Sequence, residues 1–465
     1  MALRPTNSDS EPGTAGAPGT SGVSPTADAG ARVPEGEPGP VERRAPFSDN
    51  PLVGARGQRT QQRILDAALR VFGEEGYHQC GIDRITKVAG CSRASFYQYF
   101  AGKEDVFRHL VGQVGRQLTA SIEVLGPLTA DQEGWQALRS WVDRYADIYE
   151  RFEPVFQVFQ AAVESDEAVA GSSVRAGERN VAGIRSRLDT TTLPPRQLDP
   201  VIALLLECVP RMFVDVASIH QVAPGAYPPD RVRDALADVM HRSLFGLQAD
   251  VNVHPPGPPP PALEFGPVMR EALRHDSADP ELNAAGRRTL QALMEAGRDV
   301  FVARGYHRTR INDVVAAAGV SHGAFYRYFE SKDQFAHLLA VQAIRRVSTA
   351  LTDLPPDAGL DVSANRAALR KWLRRYNSLQ AGEALMIRVW ADAALQDQRL
   401  RHDSAAALDW GRRRMVRFLA PRDFGDVETE ALLMVALLGA FGSRERSNAL
   451  VDAAAHIVDQ GFFGR

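Results

Sequence analysis

A long internal repeat constrains this 465-residue chain more than any other feature. Setting Phe72 on Phe301, an offset of 301 − 72 = 229, aligns two segments without a gap. Arg59 and Thr60 then fall on Arg288 and Thr289, and Gly76, Tyr77 and His78 on Gly305, Tyr306 and His307. Ala89, Gly90 and Ser92 fall on Ala318, Gly319 and Ser321. Phe96, Tyr97, Tyr99, Phe100 and Lys103 fall on Phe325, Tyr326, Tyr328, Phe329 and Lys332. The match resumes at an offset of 231, with Trp141, Arg144 and Tyr145 on Trp372, Arg375 and Tyr376, as a two-residue loop insertion would produce. Near the end of each half, Leu236, Val239, Met240 and Phe245 parallel Ala454, Ile457, Val458 and Phe463. The chain therefore holds two copies of one domain, each with its own core.

The remaining segments separate these copies. Residues 1–54 are rich in Gly, Pro, Ser and Ala and poor in large apolar residues, so they read as a disordered tail. Residues 251–281 contain Pro255, Pro256 and the run Pro258 to Pro261, which reads as a semi-rigid polyproline linker with one helical turn around Val268 to Leu273. That leaves a first head over 55–116, a first body over 117–250, a second head over 282–346 and a second body over 347–465. Ile64, Ala67, Ala68, Val71 and Phe72 follow the helical period, as do Trp135, Leu138, Trp141, Val142, Tyr145, Ile148 and Phe152. Strand alternation is absent, so the fold class expected is all-α.

Charge points the heads toward nucleic acid. The chain as a whole carries −3, but Arg56 to Arg116 holds ten Lys/Arg against six Asp/Glu, or 10 − 6 = +4. Asn283 to Arg346 holds ten against five, or 10 − 5 = +5. Local charge is what meets phosphate. Within each basic segment the pattern is helix, tight turn, helix. Ile82 to Ala89 forms a short helix, Gly90 supplies the turn because glycine takes positive φ without penalty, and Ser92 caps a second helix anchored by Phe96 and Phe100. That geometry presents a second helix to a major groove. Its other face carries Arg93, Ser95, Tyr97 and Tyr99, and Lys103 follows at the start of the next helix.

Phe72-(x3)-Gly76-Tyr77 followed by Ala89-Gly90-Cys91-Ser92-Arg93-Ala94-Ser95-Phe96-Tyr97-Gln98-Tyr99-Phe100-(x2)-Lys103 resembles the head of the TetR/AcrR family of regulators. The second copy, Ala318-Gly319-Val320-Ser321-His322-Gly323-Ala324-Phe325-Tyr326-Arg327-Tyr328-Phe329-(x2)-Lys332, resembles it more closely still. The resemblance implies two tandem domains, each a three-helix DNA-binding head on a body of about six helices that encloses a ligand pocket and dimerises through its last two helices. By position it implies phosphate contacts for Arg59, Thr60, Tyr97, Tyr99 and Lys103, and for Arg288, Thr289, Tyr326, Tyr328 and Lys332. Ser92, Arg93 and Ser95, with Ser321, His322 and Gly323, would face the DNA from the second helix. Two departures stand out. The usual Thr or Ser cap of the first of these helices is Gly81 in one copy and Arg310 in the other, where Arg310 is free to reach a phosphate; and Ala94 replaces a frequent Gly.

The implied partner is double-stranded operator DNA, and the implied activity is ligand-responsive repression. The reading positions differ between copies, Arg93/Ser95 against His322/Ala324, so one chain is expected to act as an intramolecular pseudo-dimer on an imperfect, non-palindromic site. The halves would pack through Val201–Phe213 and Val232–Phe245 against Ala431–Phe441 and Leu450–Phe463, with further self-association left open. The alternatives are a conventional homodimer with one active head per chain, and a helical small-molecule-binding protein without DNA binding. Trp141, Tyr145, Tyr149, Phe152 and Phe159, with Trp372, Tyr376, Met386 and Trp390, are candidates for a pocket holding a small apolar or aromatic effector, oriented by Arg388 or Glu164. Stripes of this kind are more often core than pocket.

Other classes find little support. No nucleophile elbow, phosphate-cradling Gly loop or metal-spaced His/Cys cluster occurs, so neither enzyme nor cofactor is expected. Three cysteines make no disulfide framework, and Cys80 and Cys91 match Thr309 and Val320 in the other copy, which favours packing over redox chemistry. The amino terminus lacks a signal-peptide pattern, and the longest apolar runs, Val201 to Leu206 and Ala431 to Ala440, are too short to span a bilayer. A cytoplasmic protein without membrane partners is the expectation.

Overall fold

The computed structural model describes residues 54–77, 79–189, 191, 193–251, 257–267, 269–270, 283–355, 362–394, 398–442 and 447–465. The expected amino-terminal tail and the turn around Val268 to Leu273 lie mostly outside these residues. The described chain is all-α; apart from one isolated bridge between Leu128 and Leu188 it contains no β-pairing.

The first half consists of α1 (Ala55–Glu75), α2 (Ile82–Ala89), α3 (Arg93–Tyr99), α4 (Lys103–Glu123), α5 (Gln132–Ser165), α6 (Glu167–Arg185), α7 (Pro195–His220) and α8 (Pro229–Phe245). The second half repeats the order: α9 (Ala284–Arg308), α10 (Ile311–Ala318), α11 (His322–Tyr326), α12 (Lys332–Thr352), α13 (Val362–Ala394), α14 (Gln398–Leu419), α15 (Val427–Gly442) and α16 (Asn448–His456), which runs on as a π-helical turn, Ile457–Phe462. Gly76, at φ 79°, ends α1 with its N–H on the Phe72 carbonyl at 3.0 Å. Gly305 takes the same conformation at φ 72° inside α9, so the two first helices stop at matching points.

α5 is two helices in one. Phe152 leaves the helical region at φ −115°, ψ 21°, two residues before Pro154. Proline has no N–H and crowds the preceding turn, which breaks a helix at that place. The bend brings Pro154 against α1, where a Cβ on Gly73 would lie 3.3 Å from Pro154 Cγ. Counted as two, α5 brings the helices after the first head to the six the resemblance implies.

Each head has a small core of its own. Ile64, Val71, Phe72, Ile85, Phe96 and Phe100 pack with Phe107 and Leu110 of α4 and with Ile148, Phe152 and Val155 of α5. Leu293, Phe301, Val314, Phe325, Phe329, Phe335, Leu339 and Met386 form the second. A fully buried Phe contributes ~1.5–3 kcal/mol over an exposed one, so two phenylalanines hold each short helix to its head. The third and largest core is shared. Val201 to Met212 of α7 and Leu236 to Phe245 of α8 lie in one apolar cluster with Leu432 to Phe441 of α15 and Leu450 to Phe462 at the chain end. Cys208 Sγ lies 3.7 Å from the Leu433 carbonyl across it, and His456 Nε2 lies 2.7 Å from that of Ser243.

The linker departs from the spacer expected of its composition. Residues 257–266 have no regular secondary structure but dock on the second body. Leu263 N–H donates to Asp409 Oδ2 at 2.9 Å, Gly266 N–H to Asp403 Oδ1 at 2.6 Å, and His402 Nε2 lies 2.9 Å from the Glu264 carbonyl. Arg231 of α8 bonds the Pro258 carbonyl at 3.0 Å and grips Asp426 at 2.7 and 2.8 Å. Met269 is fully buried beside Val341, Ile344 and Leu400. Prolines remove donors, yet two of the N–H groups left, those of Leu263 and Gly266, are taken by the buried carboxylates of Asp409 and Asp403. No helix among the described residues is long and apolar enough to cross a membrane.

Candidate nucleic-acid interface

In both heads the turn between the second and third helix closes as its residue types require. Gly90 sits at φ 62°, ψ 41° and Gly319 at φ 65°, ψ 31°, the left-handed conformation that glycine adopts without penalty. Cys91 N–H then reaches the Thr86 carbonyl at 3.1 Å, and Val320 N–H the Val315 carbonyl at 3.0 Å. Ser92 Oγ accepts from Ser95 N–H at 3.1 Å, and Ser321 Oγ from Ala324 N–H at 3.3 Å. Both serines are therefore helix caps first.

Phe96 and Phe325 turn one face of α3 and α11 inward with no exposure. The opposite face carries exposed Arg93, Ala94 and Gln98 and half-buried Ser95, Tyr97 and Tyr99. Its counterpart carries exposed His322, Gly323, Tyr326 and Arg327, with Tyr328 half-buried. Tyr326 is 51% exposed, with the His322 ring 5.2 Å away between centres. Arg93 pairs with Asp83 at 3.1 Å, and Tyr328 Oη donates to the Gly286 carbonyl at the start of α9 at 3.2 Å. A Cβ at Gly323 would meet nothing within 4 Å, so the Ala94-for-Gly difference costs the fold nothing. Arg59 and Arg288 are exposed on the first helices, while Thr60 and Thr289 bond back to the Arg56 and Ala285 carbonyls at 3.2 and 3.1 Å.

The lysines sit differently from a freely offered phosphate ligand. Lys103 Nζ donates to the Tyr77 carbonyl at 2.8 Å and the Cys80 carbonyl at 3.4 Å, and lies 4.7 Å from the centre of the Tyr77 ring. Lys332 Nζ repeats this at 3.1 Å from the Tyr306 carbonyl and 4.2 Å from its ring. Burial holds the Lys332 ammonium below the usual lysine range, with Asp333 opposing. Both lysines pin the loop between the first two helices. At the second cap, Arg310 N–H donates to Asp313 Oδ2 at 2.9 Å and its guanidinium stays exposed; that backbone bond, then Arg304 and Arg310, keeps Asp313 below the carboxylate range. Burial raises the Cys80 thiol to about 11, with Lys103 opposing, and also raises Cys91. A thiol so disfavoured as thiolate is a packing residue. The side chains of His78 and His307 lie outside the described residues.

The candidate pocket residues divide. A cleft of about 1580 Å³ is lined by both halves, with Tyr145, Phe156, Phe159, Tyr376 and Trp410 among its walls. Trp141, Tyr149, Phe152, Trp372 and Met386 are core residues and not part of its lining. Trp141 Nε1 donates to Ser121 Oγ at 3.1 Å and Trp372 Nε1 to the Ala350 carbonyl at 2.9 Å, bonds that fix buried indoles in place. The side chains of Trp390, Arg388 and Glu164 lie outside the described residues. The sequence reading missed the polar residues of the wall, Arg211, Asp215 and Gln380 among them. Asp215 is buried and its carboxyl raised by that burial, with Arg211 at 3.1 Å opposing. Gln380 Nε2 bonds Tyr376 Oη at 3.2 Å while its Oε1 has no hydrogen-bond partner among the described residues. A polar residue four positions before another on a helix was the signal available.

The sequence profile described as "Bacterial regulatory proteins, tetR family" matches residues 64–110 and 293–339. The chain is 37% identical over 65 residues to the fatty acid metabolism regulator protein of Bacillus subtilis, covering 13% of this chain and 34% of the relative. It thus spans about a third of that relative's length. It is 25% identical over 207 residues to the HTH-type transcriptional regulator EthR of Mycobacterium tuberculosis, covering 41% of this chain and 93% of the relative. Among solved structures, a TerR/AcrR-family transcriptional regulator from Aquifex aeolicus aligns at 17% identity and a TM-score of 0.30, over 36% of this chain and 95% of that one.

Proposed function

Since the chain belongs to the tetR family of bacterial regulatory proteins, with two such domains in tandem, we propose that it is a sequence-specific DNA-binding transcriptional regulator of the ligand-responsive repressor type, acting as an intramolecular pseudo-dimer. The observation that carries the reading is the duplicated third helix of each head, α3 and α11: each copy is anchored by a buried Phe and offers an exposed polar face that differs from the other's.

In this reading α3 and α11 enter successive major grooves, about 34–36 Å apart along the duplex, as paired helix-turn-helix heads do. Arg93 and Ser95 read one half-site; His322, beside Gly323 and Ala324, reads the other. Arg and His offer different donors to base edges, so the two half-sites differ. Arg59, Tyr97 and Tyr99, with Arg288, Arg310, Tyr326 and Tyr328, hold phosphates and set register. Thr60 and Thr289 stand at the same edge, Ser92 and Ser321 present their helix ends, and a phosphate competes with loop carbonyls for Lys103 and Lys332.

The effector is a small, largely apolar molecule in the cleft walled by Tyr145, Phe159 and Tyr376, its polar group facing Asp215 and Gln380. The cleft draws walls from both halves, so one occupant can change how they sit together. Selection of bound DNA from a random pool tests the reading. An asymmetric two-part site is expected; a perfect palindrome would sink it.

A further inference from the structure

Where the halves meet, one charged cluster is withdrawn from water. Arg242 on α8 and Glu430 on α15 are both 0% exposed. Arg242 Nη2 donates to Glu430 Oε2 at 2.6 Å, and Arg422, before α15, donates to the same oxygen at 2.5 Å. Arg242 Nε donates to the Gly461 carbonyl at 2.7 Å and Arg422 Nη1 to that of Phe462 at 2.8 Å. Gly425, at φ 71°, makes room for the carboxylate: a Cβ there would lie 2.4 Å from Glu430 Oε1.

The repeat holds no second copy of this pair. Leu204, Leu205 and Phe213 of α7 match Leu432, Leu433 and Phe441 of α15 at an offset of 228, so Glu430 matches position 430 − 228 = 202, which is Ile202. Leu236 matches Ala454 at an offset of 454 − 236 = 218, so Arg242 matches position 242 + 218 = 460, which is Gln460. Ser243 and Gly461 are equivalent under that offset and lie against each other, since a Cβ on Gly461 would sit 2.3 Å from Ser243 Oγ. Two like surfaces thus face each other with a buried ion pair on one side of their axis and Ile and Gln at the matching places on the other.

We infer that the Arg242–Glu430 pair selects the partner at this interface, admitting a first half against a second half and rejecting a first half against its own copy. The inference rests on the reading that the two halves of one chain pair with each other. In a pairing of two first halves, Arg242 would face Ile202 and be buried without its carboxylate. The nearest remaining acid, Asp238, is 3.9 Å from Arg242 Nη1, and its Oδ1 already accepts from Trp135 Nε1 at 2.7 Å. In a pairing of two second halves, Glu430 would keep Arg422 and lose Arg242. A buried charge deprived of its partner is strongly unfavourable, whereas an apolar contact at the same place would discriminate little. The pair has a clear use, because two similar domains on one chain otherwise join first half to first half between molecules. A single buried polar contact that fixes which helices pair is established in coiled coils.

The full-length chain tests this by charge reversal, read by native mass spectrometry and thermal melting. R242E sets two carboxylates together and E430R sets three guanidinium groups together, so each alone is expected to lower the folded one-chain species of 50.8 kDa by at least about tenfold. Both reversals in one chain restore it. Co-expression of the two single variants is the deciding arm. The R242E first half of one chain meets the E430R second half of the other, and the reciprocal contact is the native pair, so a 1:1 two-chain species forms that neither variant makes alone. Single variants that keep the wild-type mass and melting point overturn the inference, and so does failure of both the doubly reversed chain and the co-expressed pair to recover. A wild-type chain that is itself a two-chain species overturns the pairing reading instead, and the co-expression arm still tests the pair.

Discussion

Replacing Lys103 by Met separates two roles for the lysine that follows each recognition helix. In the free protein its ammonium bonds the Tyr77 and Cys80 carbonyls at 2.8 and 3.4 Å and lies over the Tyr77 ring. A hydrogen bond to a charged group contributes ~1.5–3 kcal/mol, and the cation–π contact adds ~0.5–1 kcal/mol where exposed. The second bond is long and the lysine only half-buried, so the loss is expected near ~2–3 kcal/mol for the head. At ~1.4 kcal/mol per factor of ten, amide exchange from Ile82–Ala89 and Arg93–Tyr99 should speed up about 30-fold or more, without DNA present. K332M should do the same to the second head. A lysine that serves phosphate alone would leave exchange untouched and lower the salt slope of DNA binding by about one. Unchanged exchange in K103M refutes the structural role argued here.

Three further outcomes follow from named contacts. F325A empties a fully buried site in a five-residue helix and should cost ~3–5 kcal/mol of head stability, read as loss of helix-melting cooperativity and of exchange protection in 311–326. R93A should relax base preference in one half-site only, and H322A in the other, each by ~1–3 kcal/mol in competition binding, whereas R59A should weaken all sequences alike. His456 faces the Ser243 carbonyl across the interface, and burial holds its imidazole below 6.5, aided by Arg366 and opposed by that carbonyl bond and Asp459. The unfolded chain therefore takes up the proton first: the contribution is full above pH 6.5 and lost as pH falls toward the folded value. H456Q should flatten a plot of melting temperature against pH over that window.

The parts of the fold legible in the sequence were those set by local rules. Gly90 and Gly319 marked the turns because the left-handed conformation excludes most other residues, and Phe96 and Phe325 marked the buried face because apolar spacing follows the helix. The rest depended on contacts far along the chain. Leu263 and Gly266 of the linker bond Asp409 and Asp403 some 140 residues away, so a proline-rich composition read as a spacer. The aromatic stripe of α5 announced burial but not its direction, and Phe152 went to the head core rather than to a pocket. Pro154, inside the helix, was a visible signal of that bend. Lys103 shows a third limit: position in a motif fixes where a side chain begins, not which acceptor its end finds.

Mass measurement of the protein on its selected duplex tests the central claim most directly. One 50.8 kDa chain bridging both half-sites is expected, with R93A and H322A each weakening a different half. Two chains on one palindromic duplex, insensitive to change in one of the two heads, would contradict it.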